Sequence, residues 1–186
     1  ACAPYRRLHL CDYNLENIND FIHYWRMCVL QPYMKGIQKG YHGQHQLTNP
    51  DSQICTMLAR SFADIGDIVR GKDLYLRDKG KRDKLENNLK EIFKKIQEKL
   101  IGDAKTHYED ATGNFFQLRE DWWYANRETV WKAIRCSAPT DADYFIKTVC
   151  SKGTTSTQGK CRCIDFSVPT YFDYVPQYLR WFEEWA

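Results

Sequence analysis

The chain has 186 residues, 43% of them hydrophobic by type and 27% charged, with a formal net charge of +3. Its 6 Trp, 12 Tyr and 9 Phe can bury a sizeable core without help from cross-links. A mean hydropathy of −0.64, with no run near the ~18–20 apolar residues of a spanning helix, excludes a membrane-spanning chain. The start, Ala1-Cys2-Ala3-Pro4-Tyr5-Arg6-Arg7, has no signal-peptide pattern.

Residues 1–19 are polar and read as irregular. Asp20 can cap a short helix through Phe21, Ile22, Trp25 and Cys28, which Pro32 stops. Residues 36–50 carry glycines and close with Asn49-Pro50, a loop pattern. Thr48 or Asp51 then caps a strong helix with the apolar stripe Ile54, Met57, Leu58, Phe62, Ile65, Ile68 and Val69, and Gly71 sits just past its end. Gly66 inside that helix is unfavourable unless another helix approaches closely there. A charged connector, Lys72 to Arg82, leads to a second helix from about Lys84, with Leu85, Leu89, Ile92, Phe93, Ile96 and Leu100 on one face. Glu86 with Lys90 and Glu91 with Lys95 have the spacing of helical ion pairs.

A third helix is expected from Gly113-Asn114, with Asn114 and Gln117 as a capping box. Its apolar residues, Phe115, Phe116, Leu118, Trp122, Trp123, Val130, Trp131 and Ile134, fall on more than one face, which predicts a central helix. Residues 137–169 are small, polar and cysteine-containing, a stapled loop region. Pro176 opens a last helix with Tyr178, Leu179, Trp181, Phe182 and Trp185, still apolar where the sequence stops and expected to continue. No strand pattern is strong, so the expected fold class is mainly α: a disulfide-stapled helical domain with long loops.

The cysteines are Cys2, Cys11, Cys28, Cys55, Cys136, Cys150, Cys161 and Cys163. They lack the doubled close spacing of zinc ribbons, which favours disulfides over metal ligation or reduced core thiols. Eight cysteines allow 105 pairings. They form one group before residue 56 and one after residue 135. Cys161 and Cys163 alternate in an extended segment and should reach different partners. Such cysteine use points to an oxidising, extracellular setting, and no N-x-S/T acceptor occurs.

Candidate chemistry is sparse. His42-Gly43-Gln44-His45 is a glycine-containing loop without a nearby carboxylate, and reads as solvated rather than metal-binding. Asp64 with Asp67, and Glu120 with Asp121, are carboxylate pairs that read as solvated helix faces rather than an acid–base couple. Phosphate-binding and nucleophile-elbow motifs are absent. The aromatic segments at 115–131 and 171–185 have helical spacing and read as core rather than as stacking platforms. No catalytic residue, cofactor or metal is expected, so the chain does not read as an enzyme. A secreted hydrolase would need convergent titratable groups that the sequence lacks. The charge is uneven: residues 72–105 hold 11 basic and 7 acidic side chains, whereas residues 106–186 hold 9 and 11. Lys79, Lys81, Arg82, Lys84, Lys90, Lys94, Lys95 and Lys99 form either a solvated face or a basic stripe for an anionic partner such as a sulfated glycan, with nucleic acid disfavoured by the cysteines.

Four long segments carry a resemblance. They are Ala1-Cys-Ala-Pro-Tyr-Arg-Arg-Leu-His-Leu-Cys11, Leu58-Ala-Arg-Ser-Phe-Ala-Asp-Ile-Gly-Asp-Ile-Val-Arg-Gly71, Arg119-Glu-Asp-Trp-Trp-Tyr-Ala-Asn-Arg-Glu-Thr-Val-Trp131 and Pro169-Thr-Tyr-Phe-Asp-Tyr-Val-Pro-Gln-Tyr-Leu-Arg-Trp-Phe-Glu-Glu-Trp185. In this order they closely resemble the Duffy-binding-like domain, alpha class, of the variant erythrocyte-membrane adhesins of Plasmodium falciparum. Residues 20–40 depart from the family pattern. The resemblance implies a single partial domain over residues 1–186, with a loop-rich part to about residue 55 and a helical part from about 56. It covers the first half of such a domain and lacks the C-terminal subdomain, a helical hairpin. It implies a non-enzymatic host-cell adhesion module on the infected erythrocyte surface, part of a larger transmembrane protein that undergoes antigenic variation. Partners implied are a host receptor, a sulfated or blood-group glycan, host antibodies and an adjoining cysteine-rich interdomain region, with rosetting as one outcome. A second reading is a structural and immune-decoy domain whose receptor site lies next door. No contact residue carries over from the family.

Overall fold

The computed structural model describes residues 2–8, 53–75, 79–144, 146 and 148–185. The expected helix at 20–32, the loop at 36–50, Cys11, Cys28, His42 and His45 lie outside the described residues. The described elements are α1 (Tyr5–Leu8), α2 (Gln53–Arg70), α3 (Lys79–Lys99), α4 (Asp103–His107), α5 (Phe116–Ile134) and α6 (Gln177–Trp185). Short 3-10 turns follow α5 at Arg135–Ser137 and precede α6 at Phe172–Tyr174. Among the described residues β-structure is limited to two isolated bridges, Cys150 with Thr155 and Gln158 with Arg162.

The central helix is α2, not α5 as the aromatic pattern predicts. Its predicted stripe is buried except for half-buried Met57, but so are Ser61, Asp64, Asp67 and Arg70 on its polar side. Those groups are satisfied by ion pairs and hydrogen bonds, so every side of the helix can be covered. α5 instead buries one face, Leu118, Arg119, Trp123, Val130, Trp131 and Ile134, and leaves Phe116 and Tyr124 exposed. α2 and α5 meet where Gly66 faces Trp123. A Cβ at Gly66 would lie 2.7 Å from the indole Cζ2, so the glycine is what lets the indole seat against the helix backbone. Phe62 completes the contact, with ring centroids 4.9 Å from Trp123 and 5.5 Å from Trp131. α2 ends as expected, with Gly71 left-handed at φ 73°.

α3 begins at Lys79, earlier than the apolar periodicity shows, because its first turn is wholly polar. Leu89, Ile92 and Phe93 are buried, and Leu85, Ile96 and Leu100 pack beside them, which is the predicted face. α4 is short and has no buried residue, so no apolar pattern marks it. The capping box at Asn114 and Gln117 does not form. Phe115 is left-handed at φ 55° and its N–H donates to Asp110 Oδ2 at 2.6 Å, so the anchor lies five residues upstream. The Asn114 amide donates to Thr112 Oγ1, and that of Gln117 to Asp121.

Two disulfides hold the loop that follows α5. Cys55, in the first turn of α2, pairs with Cys161, and Cys150 pairs with Cys163. Cys161 and Cys163 therefore do reach different partners, and the first bridge joins the two sequence groups. Cys2 and Cys136, expected in disulfides, carry exposed free thiols. Cys2 lies beside the last turn of α6, where its carbonyl accepts from Trp185 Nε1, and Cys136 sits in the turn after α5. The other four described cysteines are already bonded to one another.

Candidate functional site

Two features stand out: a basic outer face on α3, and a set of buried arginines that fixes the helices carrying it. At about 100° per residue, Leu89, Ile92 and Phe93 point α3 inward and place the lysines on the far side. Lys84, Lys94, Lys95 and Lys99 are exposed and Lys90 is half-buried, while the side chains of Lys79, Lys81 and Arg82 lie outside the described residues. The lysines do not form one unbroken stripe. Lys90 and Lys94 occupy one flank, and Lys84, Lys95 and Lys99 the other, with exposed Glu91 and Glu98 between them.

Glu86 does not serve Lys90. It turns inward to Arg119, whose Nη1 and Nη2 donate to its carboxylate at 2.6 and 3.1 Å. Arg119 is fully buried and also donates to the carbonyls of Val69 and Ile68 at the end of α2. A fully buried guanidinium needs a counter-charge more than a half-buried lysine does, so Arg119 takes the glutamate. One side chain of α5 thus ties α2 and α3 together, with the rings of Phe93 and Phe116 about it.

The carboxylates weighed as an acid–base pair belong to a second cluster of the same kind. Asp64 is fully buried and meets Arg6 Nη1 at 2.7 Å and Arg180 Nη2 at 2.9 Å. Gln177 Nε2 also donates to it, at 3.2 Å. Burial alone would raise the Asp64 carboxyl, but Arg6 and Arg180 together hold it below its ordinary value. Asp67 pairs with Arg70 at 3.0 Å and with Arg180. There burial outweighs the arginines, and the neighbouring Asp64 adds to it, so its pKa is pushed up to about 6. Neither carboxylate is free for chemistry. Glu120 and Asp121 diverge, Glu120 to Arg70 and Lys72, Asp121 to Tyr108 and Gln117.

A third buried acid, Asp173, sits in the 3-10 turn and accepts from Trp123 Nε1 at 2.9 Å and from Arg127 Nε at 2.7 Å. It pins that turn to α5. Among the described residues no three His, Cys, Asp or Glu side chains converge as metal ligands would. No described helix is long and apolar enough to cross a membrane.

The aromatic segment at 171–185 departs from the core reading. α6 buries Gln177, Arg180 and Trp181, and turns Tyr178, Leu179, Phe182 and Trp185 outward. The polar side is inside because Asp64, Asp67 and Asp73 wait for it on and just beyond α2. The segment at 115–131 divides as well, with Trp123 and Trp131 in the core and Phe116 and Tyr124 at the surface.

Apolar periodicity has no term for buried arginine, so Arg6, Arg7, Arg70, Arg119 and Arg180 were not found as structural residues. A signal exists: Asp64, Asp67 and Arg70 recur every three residues beside the apolar stripe, and Gln177, Arg180 and Glu184 share one side of α6.

Comparison with known proteins agrees with this architecture. The Duffy binding domain family model matches residues 1–180. Among curated proteins none matches the chain significantly. The crystal structure of the NTS-DBL1(alpha-1) domain of Plasmodium falciparum membrane protein 1 (PfEMP1), varO strain, is 45% identical with a TM-score of 0.81, over 100% of this chain and 43% of that one. The NTS-DBL1-alpha and CIDR-gamma double domain of the varO PfEMP1 gives 45% and 0.82, over 100% of this chain and 27% of that one. The PfEMP1 IT4var13 DBLbeta domain bound to ICAM-1 is 33% identical with a TM-score of 0.66, over 100% and 44%. The chain therefore spans less than half the length of these structures. The alpha class fits better than the beta class on both identity and superposition. With the family model covering nearly the whole chain and a 45% identical structure superposing over all of it, the chain belongs to the Duffy binding domain family.

Proposed function

We propose that the chain is part of a non-enzymatic adhesion module that binds a host-cell receptor or glycan, displayed on the infected erythrocyte as the ectodomain of a larger variant surface antigen. The observation that carries this reading is family membership, with a relative solved in complex with ICAM-1. The receptor for this chain is a red-cell or endothelial protein, or a sulfated or blood-group glycan, and rosetting and cytoadherence are the outcomes. Host antibodies and an adjoining cysteine-rich interdomain region are its other partners; a relative solved as a double domain with CIDR-gamma supports the latter.

The exposed lysines of α3 supply the electrostatic part of a glycan contact, because clustered cations attract polyanions and release counterions on binding. Retention on heparin tests this. Elution is expected at moderate salt and at clearly lower salt after Lys90, Lys94 and Lys95 are changed together to Ala. Elution at very low salt, unmoved by those changes, rejects the α3 face as a glycan contact. Receptor binding that survives deletion of this domain from the intact adhesin would instead favour a structural and decoy role.

A further inference from the structure

A second basic site lies on the opposite kind of scaffold, the disulfide-held loops after α5. The backbone at 158–162 folds back on itself, with Gln158 and Arg162 exchanging backbone hydrogen bonds of 2.6 and 3.1 Å. This turn presses edge-on against residues 139–142. Lys160 N–H donates to the Pro139 carbonyl at 3.2 Å, and Cys161 N–H to that of Ala142 at 2.9 Å. The approach is so close that a Cβ on Gly159 would fall 1.8 Å from the Thr140 carbonyl oxygen. Lys160 and Cys161 are both left-handed, at φ 62° and 52°. That conformation is unfavourable for side-chain-bearing residues and persists where the surroundings hold it. Here they do: Cys161 is bonded to Cys55 of α2, its carbonyl accepts from Trp131 Nε1, and Cys163 is bonded to Cys150.

The result is a preformed cleft of about 320 Å³, lined by Arg135, Thr140, Gln158, Gly159, Lys160 and Arg162. Three of the six are cationic and none is acidic. Arg162 uses Nη2 on Gln158 Oε1 at 3.0 Å, but its Nε is buried and has no acceptor. Buried donors of a charged group are rarely left so, because the missing hydrogen bond is not regained from water. Arg135 is held below the usual guanidinium range, by burial and then by the charge of Arg162, with only the Cys136 thiol acting the other way. Two guanidiniums and a lysine line the cleft with no carboxylate among them, a concentration of charge that an oxyanion would complete.

We propose that this cleft binds a tetrahedral oxyanion, the sulfate or phosphate group of a small ligand, between Arg135, Lys160 and Arg162. The planar guanidiniums offer paired N–H donors to the oxygens, and the Thr140 hydroxyl is a further donor at the wall. The inference does not depend on the adhesive reading or on the lysines of α3. Because two disulfides and backbone hydrogen bonds fix the turn, the backbone carrying Lys160 and Arg162 is already in place, and ordering on binding is confined to the side chains.

The test titrates the intact, oxidised chain with sodium sulfate and sodium phosphate against sodium chloride at matched ionic strength. Heat is followed by calorimetry, and the arginine Nε–Hε signals by NMR. Saturable binding of sulfate or phosphate with a shift of the Arg162 Nε–Hε signal is expected, with chloride inert. R162K keeps the charge but loses the paired N–H donors of the guanidinium, and should weaken binding about tenfold, as should R162Q, while K105A, at an exposed position on α4, leaves it unchanged. Circular dichroism checks that each variant is folded, and R135K gives a second route should R162Q not fold. A monosulfated disaccharide that binds more tightly than free sulfate assigns the source to a glycan; a sugar phosphate that does so assigns it to a phosphate ester. Signals that follow ionic strength alone, or that persist equally in R162K and R135K, overturn the proposal.

Discussion

Asp64→Asn is the sharpest test of the buried ion network. The substitution keeps size and shape but removes one negative charge from a site with no solvent access. Two guanidiniums face it, Arg6 Nη1 at 2.7 Å and Arg180 Nη2 at 2.9 Å, and the new amide would set donors against donors. Neither arginine is left alone, since Arg6 keeps Glu184 at 2.9 Å and Arg180 keeps Asp67. The loss should therefore fall at the lower end of the range for breaking a buried pair, about 3 kcal/mol. For a chain of this length that lowers Tm by about 6–12 °C. Thermal and urea unfolding at pH 7, followed by circular dichroism, read the change. Glu184→Gln, at a half-buried position, should cost no more than about 1 kcal/mol and serves as the comparison. A loss below about 0.5 kcal/mol for Asp64→Asn would place it with ordinary surface substitutions and refute the reasoning.

Gly66→Ala should destabilise despite the better helix propensity of alanine, by about 1–2 kcal/mol net, because Trp123 must move away from its Cβ; unchanged urea unfolding with unchanged tryptophan fluorescence would contradict that packing. Replacing Cys55 and Cys161 together by Ala should cost about 4–5 kcal/mol, given their sequence separation of 106, and replacing Cys150 and Cys163, 13 apart, about 3 kcal/mol. Non-reducing peptide mapping checks both pairings, and equal losses would count against the loop-length account. Asp67 should titrate near pH 6 in carboxyl-carbon NMR, while Asp64 titrates below its ordinary value. The signs follow: a raised carboxyl makes folding more favourable as pH falls from about 6 toward 4, and a depressed one loses its contribution as pH falls below 4. Asp67→Asn should abolish the first of these slopes and leave the second.

Elements with an apolar stripe were legible. α2 and α3 carry their inward residues at helical spacing, and Gly71 and Pro176 mark boundaries by backbone chemistry alone. What escaped was decided by polar groups acting at a distance. α3 starts early in a charged turn, α5 is anchored by Asp110 from outside the helix, and α6 lies the other way round because Arg180 and Gln177 find partners more than 100 residues away. Periodicity counts apolar residues as inside, and so reads a helix tethered by arginine as inverted. The basic face of α3 was legible as charge. The cleft at Arg135, Lys160 and Arg162 was not, because a disulfide and a backbone turn bring residues 135 and 162 together, and neither has a sequence period.

The meeting of residues 2–8 with α6 also sets how the molecule carries load. Cys2 accepts from Trp185, and Arg6 grips Glu184 while also reaching the buried Asp64 of α2. Tension applied between residues 2 and 185 would be borne first by this polar clasp, in parallel with the hydrophobic interior rather than in series with it. Rupture would begin by peeling the N-terminal segment from α6. The helix pair around Gly66 and Trp123, and the loops locked by Cys161 and Cys163, would keep their shape while the clasp opened and closed.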